Sequence, residues 1–259
     1  MLIDTHSHLY ASQFDEDRED ELNRCLSNGI EKVLLPNIDS ESIQSMHDLV
    51  DSNPGVCYPM MGVHPCSIQP ETWKEELALA KKHLFEGARN YIAVGEIGID
   101  LYWDKSTLEI QQQAFGEQIQ WAKEKNLPVV IHARDSFEEI FEVVDQYNDE
   151  RLRGVFHCFT GGIEEATRIM DFGGFLMGLG GVLTFKNGGL DKTVAHIELK
   201  HFVLETDAPY LAPTPHRGKR NQSSYLNLVA LKLADIKGCS LPEVAEITSS
   251  NAKVMFGLS

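Results

Sequence analysis

Asp4-Thr5-His6-Ser7-His8 places two histidines two residues apart near the start of the chain. On an extended backbone that spacing turns both imidazoles to one face, where both can reach one metal ion. An H-x-H pair in a turn also arises by chance, so the rest of the chain must decide. Five further titratable residues each follow or close a short apolar run. They are His64 in Val63-His64-Pro65, Glu96 in Val94-Gly95-Glu96, His132 after Val129-Val130-Ile131, His157 after Gly154-Val155-Phe156, and Asp207 after Val203-Leu204-Glu205-Thr206. From 64 to 207 their separations are 32, 36, 25 and 50 residues, one or two strand–helix units each. A lone histidine after an apolar run is ordinarily a packed residue. Five such residues in register are not explained that way.

Imidazole and carboxylate donors suit zinc, manganese, iron or nickel better than calcium, which prefers oxygen alone. His6, His8, Glu96, His132, His157 and Asp207 are six candidate ligands, more than one tetrahedral ion uses. A central carboxylate such as Glu96 can bridge two ions. Two ions about 3.5–4 Å apart polarise a phosphoryl or carbonyl oxygen and activate a shared water. The pattern therefore predicts a metal-dependent hydrolase, and no serine or cysteine nucleophile is required.

Such residues need a scaffold that brings strand ends together. Strands are expected at 2–4, 32–36, 57–62, 91–94, 128–131, 154–156, 174–178 and 201–204. Helices are expected near 17–28, 40–51, 73–80, 108–125, 137–147, 163–172, 190–196, 225–236 and 241–256. Strand–helix alternation implies parallel strands with right-handed crossovers. Eight units close into an α/β fold of the (β/α)8 TIM-barrel type, whose chemistry sits at the C-terminal ends of the strands.

The 259 residues suit one barrel or two small domains, and the absence of a linker or composition break favours a single domain over 1–259. No basic region followed by an apolar stretch opens the chain, and no apolar run is long enough for a bilayer. A soluble cytoplasmic protein with no membrane association and no obligate protein partner is expected. Five scattered cysteines without a C-x-x-C pair fit reduced thiols. A formal charge of −16 repels nucleic acid at long range, so a phosphate-bearing substrate needs local positive charge.

Six motifs, taken together, resemble the TatD family of metal-dependent deoxyribonucleases. They are Asp4-Thr5-His6-Ser7-His8, Gly62-Val63-His64-Pro65, Gly95-Glu96-Ile97-Gly98-Ile99-Asp100, His132-Ala133-Arg134, His157-Cys158-Phe159-Thr160-Gly161 and Glu205-Thr206-Asp207-Ala208-Pro209-Tyr210. The basic loop 215–221, Asn251 and Phe256-Gly257-Leu258 extend the likeness over essentially the whole chain. The resemblance implies an amidohydrolase-like barrel with two divalent ions, zinc, magnesium or manganese. His6, His8, Glu96 and Asp207 would hold one; Glu96, His132 and His157 would hold the other. It also implies hydrolysis of DNA phosphodiester bonds, from the 3′ end, by a metal-activated water. His64 would contact the scissile phosphate, and Asp207 would orient the water and accept its proton. Two departures, Asp100-Leu101-Tyr102 where the family often has Asp-Tyr-Tyr and Asn221-Gln222-Ser223 without a proline, bear on substrate preference.

Arg134, two residues past His132, either faces the same mouth and grips phosphate or pairs with Asp135 or Glu138. His216, Arg217, Lys219 and Arg220 form the densest positive patch and are expected at the substrate. Tyr102 and Trp103 either stack on a base or pack under a loop. The Gly-rich stretch 173–181 matches no nucleotide-binding spacing and reads as a strand with a tight loop. Cys158 is expected in the core, and His47, His83, His196 and His201 outside the site. Rival readings are an amidohydrolase-like or PHP-like hydrolase of a small-molecule or RNA-linked ester, and a metal-binding protein without catalysis. Lysine, the modified metal bridge of many such amidohydrolases, is absent from the fourth and fifth strand ends, where Glu96 occupies that role.

Overall fold

The computed structural model describes all residues, 1–259. Its first half runs β1 (Leu2–Asp4), α1 (Arg18–Ser27), β2 (Ile30–Leu35), α2 (Ser42–Ser52), β3 (Cys57–Pro59), α3 (Trp73–Glu86), β4 (Val94–Asp100) and α4 (Leu108–Lys125). The second half runs β5 (Val129–Arg134), α5 (Phe137–Tyr147), β6 (Gly154–Phe156), α6 (Ile163–Asp171), β7 (Phe175–Leu179), α7 (Leu190–Ala195), β8 (Phe202–Leu204), α8 (Leu226–Lys237) and α9 (Leu241–Phe256). All strand pairs are parallel, in the orders β1-β2-β3 and β4-β5-β6-β7-β8. A few backbone bonds outside the regular ladders close the two seams. Ile92 N donates to Pro59 O at 3.0 Å and Gly95 N to Met61 O at 3.1 Å; Thr5 N donates to Leu204 O at 3.0 Å. The ring is a (β/α)8 barrel, as the alternation predicts.

Two apolar layers hold it. Inside the ring, Ile3, Leu34, Met60, Ala93, Val130, Val155 and Val203 form one cluster, which Ala252, Met255 and Phe256 of α9 complete. Ser249 Oγ bonds Met1 O, and Asn251 Nδ2 bonds Leu199 O and Phe202 O. α9 therefore lies across the N-terminal end of the barrel and seals it. Ser240 caps this helix through Glu243 N, ahead of a proline in its first turn. The larger apolar cluster fills the space between strands and helices. In α5, for example, Ile140, Val143 and Val144 are buried at helical spacing.

The fourth strand differs most from expectation, while β3 ends at Pro59, short of the expected 62. The fourth was expected at 91–94, yet β4 starts at Val94 and extends to Asp100, so Glu96 lies within it. Its glycines serve close packing. At Gly98, φ is +139°, and an added Cβ would stand 2.1 Å from His132 O on β5. Pairing with β5 also shifts register between Val94 and Ile97. Such an irregularity re-aims side chains, and here Glu96 turns into the barrel. His132 likewise lies inside β5 and not beyond it.

Removing the α9 plug tests this account. Phe256→Ala should lower the unfolding free energy by about 3–5 kcal/mol in urea titration, the usual cost of deleting a buried aromatic ring. A loss under about 1 kcal/mol would mean that the helix does not seal the barrel.

Candidate metal centre

Side chains alternate along a strand, so residues two apart share a face. Val130 and His132, Val155 and His157, and Val203 and Glu205 each pair an inner-core residue with a polar one nearer the mouth. His6 and His8 arrive from the segment after β1, His64 from that after β3, and Asp207 from the turn after β8. That turn is pinned from several sides. Asp207 has φ +56°, its N–H donates to His6 O at 2.9 Å, and Asn221 Nδ2 donates to Thr206 O and Tyr210 O at 2.6 Å each. The buried Asp4 carboxylate accepts from Thr206 N and Thr206 Oγ1, joining β1 to the same turn; burial pushes its carboxyl up to about 7.

Glu96 stands at the centre, and its two oxygens face different groups. Around Oε2 lie His6 Nε2 at 3.1 Å and His8 Nε2 at 3.5 Å. Those two nitrogens are 3.3 Å apart and lie 3.8 and 3.6 Å from Asp207 Oδ1. Around Oε1 lie His157 Nε2 at 2.8 Å, His132 Nδ1 at 2.9 Å and His64 Nε2 at 3.5 Å. Donors bound tetrahedrally at about 2.0–2.1 Å sit about 3.3 Å from one another, so both groups have the spacing of a metal cradle. Two of the clusters able to hold an ion are His6–His8–Glu96 and His64–Glu96–His132. The structure thus brings all six expected ligands together.

Which nitrogen of each ring is free follows from what the other one touches. Tyr10 Oη donates to Pro36 O at 2.6 Å, so it must accept from His8 Nδ1 at 2.8 Å, and His8 Nε2 is left as an electron-pair donor. Asp100 Oδ2 accepts from His132 Nε2 at 2.9 Å, leaving Nδ1 free towards Glu96. Glu205 Oε1 lies 3.4 Å behind His157 Nδ1 without a hydrogen bond, while His157 Nε2 faces Glu96. His64 is the opposite case. Its Nδ1 accepts from Cys66 N at 3.1 Å, so in the neutral ring Nε2 keeps the proton and points a donor into the site. Carboxylate or hydroxyl support behind a ligating imidazole is the usual way such rings are oriented.

The ring of His6 stacks on that of His157, with centroids 3.8 Å apart. His6 Nδ1, His157 Nδ1 and Glu205 Oε2 are buried without hydrogen-bond partners. One ligand atom from each of these three residues lies within 4.8 Å of the others. Gly178 makes room for the carboxylate: a Cβ there would stand 2.2 Å from Glu205 Oε2.

Burial disfavours charge on Glu96. His157, His6, His64 and the hydrogen bond from His132 outweigh it, holding the carboxyl well below the usual carboxylate range. Asp207 is lowered similarly, its burial opposed by the hydrogen bond from His8 and by His157 and His6. Burial works against the charged form of His8 and His157, yet their acidic and phenolic neighbours raise both well above the ordinary histidine value. At Asp100, burial is overcome by the hydrogen bond from His132, and the carboxyl falls to about 2. The cluster thus has ionised carboxylates and basic imidazoles at one buried point, a donor set suited to divalent cations.

Arg134 is exposed at the mouth and forms no ion pair with Asp135 or Glu138; its guanidinium lies 3.7 Å from the centre of the Tyr102 ring. Arg217 covers Phe185 at 3.4 Å, and Lys219 is exposed. Arg220 is committed elsewhere, bonded to Asp17 at 2.6 and 2.8 Å, so its charge is largely neutralised. Cys158 departs from expectation: it is half-buried at φ +46°, because the chain turns left-handed after β6 instead of continuing the alternation. His47 lies away from the centre, bonded to Tyr91 Oη. All five cysteines are free thiols. Sequence reading passed over Tyr10, Glu205 and the role of Asp100. Tyr10 continues the two-residue alternation of His6 and His8, which was the available signal.

A family model described as TatD related DNase matches residues 3–257. The chain is 37% identical to an uncharacterized metal-dependent hydrolase, YabD, of Bacillus subtilis, over 100% of both proteins. It is 29% identical, again over 100% of both, to a protein of Pectobacterium carotovorum named as the 3′-5′ ssDNA/RNA exonuclease TatD. The crystal structure of YjjV, a TatD homologue from Escherichia coli, superposes with a TM-score of 0.90 at 28% identity, covering 100% of this chain and 98% of that one.

Asp100→Asn should weaken divalent-ion binding about 10- to 100-fold, the usual effect of removing support behind a ligating imidazole. Calorimetric titration of zinc or manganese into chelator-stripped protein measures it. Unchanged affinity would show that Asp100 does not orient His132.

Proposed function

This chain belongs to the TatD-related DNase family, and from that premise we propose that it is a metal-dependent deoxyribonuclease acting on single-stranded ends, in the 3′ to 5′ direction. That it is a metal-dependent hydrolase follows from the family and the relatives; the nucleic-acid substrate and direction are the proposal. We read 1–259 as one catalytic domain working in the cytoplasm. No helix is long and apolar enough to cross a membrane.

The observation carrying the reading is the division of Glu96 between two groups of donors. His6, His8, Glu96 and Asp207 would hold one divalent ion; Glu96, His132 and His157 would hold a second, with zinc, magnesium or manganese as candidates. When bound, such ions supply Lewis acidity and lower the pKa of water towards neutrality.

The chain's own residues do the rest. Asp207 is ionised, and its side chain is 13% exposed against 3% for Glu96, so it can both face a water and take its proton. Oxygen from water bonds to phosphorus while the P–O3′ bond breaks, and the departing 3′ oxygen takes up a proton from solvent. His64 donates from Nε2 to a nonbridging phosphate oxygen. Arg134, with no protein partner for its N–H groups, holds a neighbouring phosphate through its fork. Arg217 and Lys219 add positive charge on the far side of the mouth and offset part of the repulsion from a chain of net charge −16.

A 3′-labelled and a 5′-labelled single-stranded oligonucleotide, incubated with each ion in turn, test direction and substrate together. Cleavage should stop on chelation and return with added ion. Glu96→Gln should abolish it, and Asp207→Asn should lower kcat by about 10²–10⁴-fold, the usual worth of a general base. Near-normal turnover by either folded variant would refute the assignment.

A further inference from the structure

Beside His132 the mouth carries a surface that phosphate hydrolysis alone does not require. Tyr102 and Trp103 follow β4 and are 54% and 72% exposed, whereas Trp121 is buried. The two rings meet edge to face, with centroids 4.9 Å apart and an interplanar angle of 89°. Arg134 lies over Tyr102 at 3.7 Å and 5.6 Å from Trp103. Tyr102 is thus used as a prop, covered on one side and touching the indole by an edge. Trp103 keeps most of its surface open.

The assembly is tied to the metal centre through one carboxylate. Asp100 Oδ1 accepts from Tyr102 N at 3.0 Å, while Oδ2 accepts from His132 Nε2 at 2.9 Å. Leu101 N donates to Arg134 O at 2.9 Å, so the strand carrying Arg134 and the start of the aromatic segment are held together. An exposed indole gains nothing from burial. An open π face beside an unpaired cation, at a fixed place next to a phosphate-cleaving centre, matches the repeating unit of a nucleic-acid strand, a flat base followed by an anion.

Resting on the nuclease reading above, we infer that Trp103, propped by Tyr102 and flanked by Arg134, is a stacking subsite for an unpaired nucleobase adjacent to the scissile phosphate. A base inside a duplex already has both faces stacked, so the subsite selects single strands. Every base offers a π face, so the selection tolerates sequence.

The test uses the full-length protein, Trp103→Ala and Trp103→Phe, loaded with the ion that best supports turnover. Substrates are a labelled oligothymidylate and two strands of the same length, abasic at the last or the penultimate 3′ nucleotide. Wild-type protein should prefer the intact strand over one abasic strand by about tenfold in kcat/KM, mostly through KM. Trp103→Ala should lose that preference, and Trp103→Phe should keep most of it. A preference retained in full by Trp103→Ala overturns the inference.

A second readout does not depend on turnover. With chelator present, oligothymidylate should quench the indole emission of wild-type protein and leave that of Trp103→Ala unchanged; equal quenching in both overturns the subsite. Wild-type protein that hydrolyses bis(p-nitrophenyl) phosphate but no oligonucleotide sinks the nuclease reading. The emission titration then decides the subsite by itself.

Discussion

A buried carboxylate must be compensated from every side, and Glu96 is compensated by five imidazole rings from four different segments. Those segments converge only in a closed barrel. His6 and His8 arrive across one seam, His64 and Glu96 meet across the other, and His132 and His157 come from the continuous five-stranded sheet. Opening either seam would separate the donors by whole strands. Barrel closure and the metal centre are therefore one requirement, and α9, which plugs the opposite end, is the counterpart that keeps the ring filled.

Each neutral imidazole has one proton for two nitrogens, and the protein decides where it goes by what it sets behind the ring. Tyr10 and Asp100 accept hydrogen bonds from His8 and His132 on the outer side, so those lone pairs point inward. A backbone N–H does the reverse at His64, so a proton points inward. Distance alone would place His64 among the ligands, since its Nε2 is 3.2 Å from His132 Nδ1. The direction of its hydrogen bond separates it from them. Asp100 joins this proton arrangement to the substrate side, since its other oxygen holds the backbone of Tyr102.

Electrostatics divides the molecule in the same way. The chain carries a net charge of −16, and several cations are neutralised where they stand, Arg220 by Asp17 and Arg89 by Asp51. Arg134 and Arg217 instead rest on aromatic rings. An aromatic face positions a guanidinium without using its N–H groups, so these cations remain available for phosphate. Positive charge at the mouth is thus a matter of which cations lack carboxylate partners.

The barrel, its strand–helix rhythm and the six candidate ligands were legible in the amino-acid order, because apolar runs of strand length announce strands and the residues that close them face the mouth. Two-residue spacing sufficed for His6 with His8. The extent of the fourth strand was not legible, since β4 runs on from Val94 to Asp100 through glycines, and alternation failed at Cys158, where the chain turns left-handed. Local pattern carries no information about partners far along the chain. That Asp17 neutralises Arg220 across 203 residues, or that one Asp100 serves both His132 and Tyr102, depends on side chains meeting in space. Residue types determined what chemistry was available; only the tertiary contacts decided which nitrogen faces inward and which cation stays free.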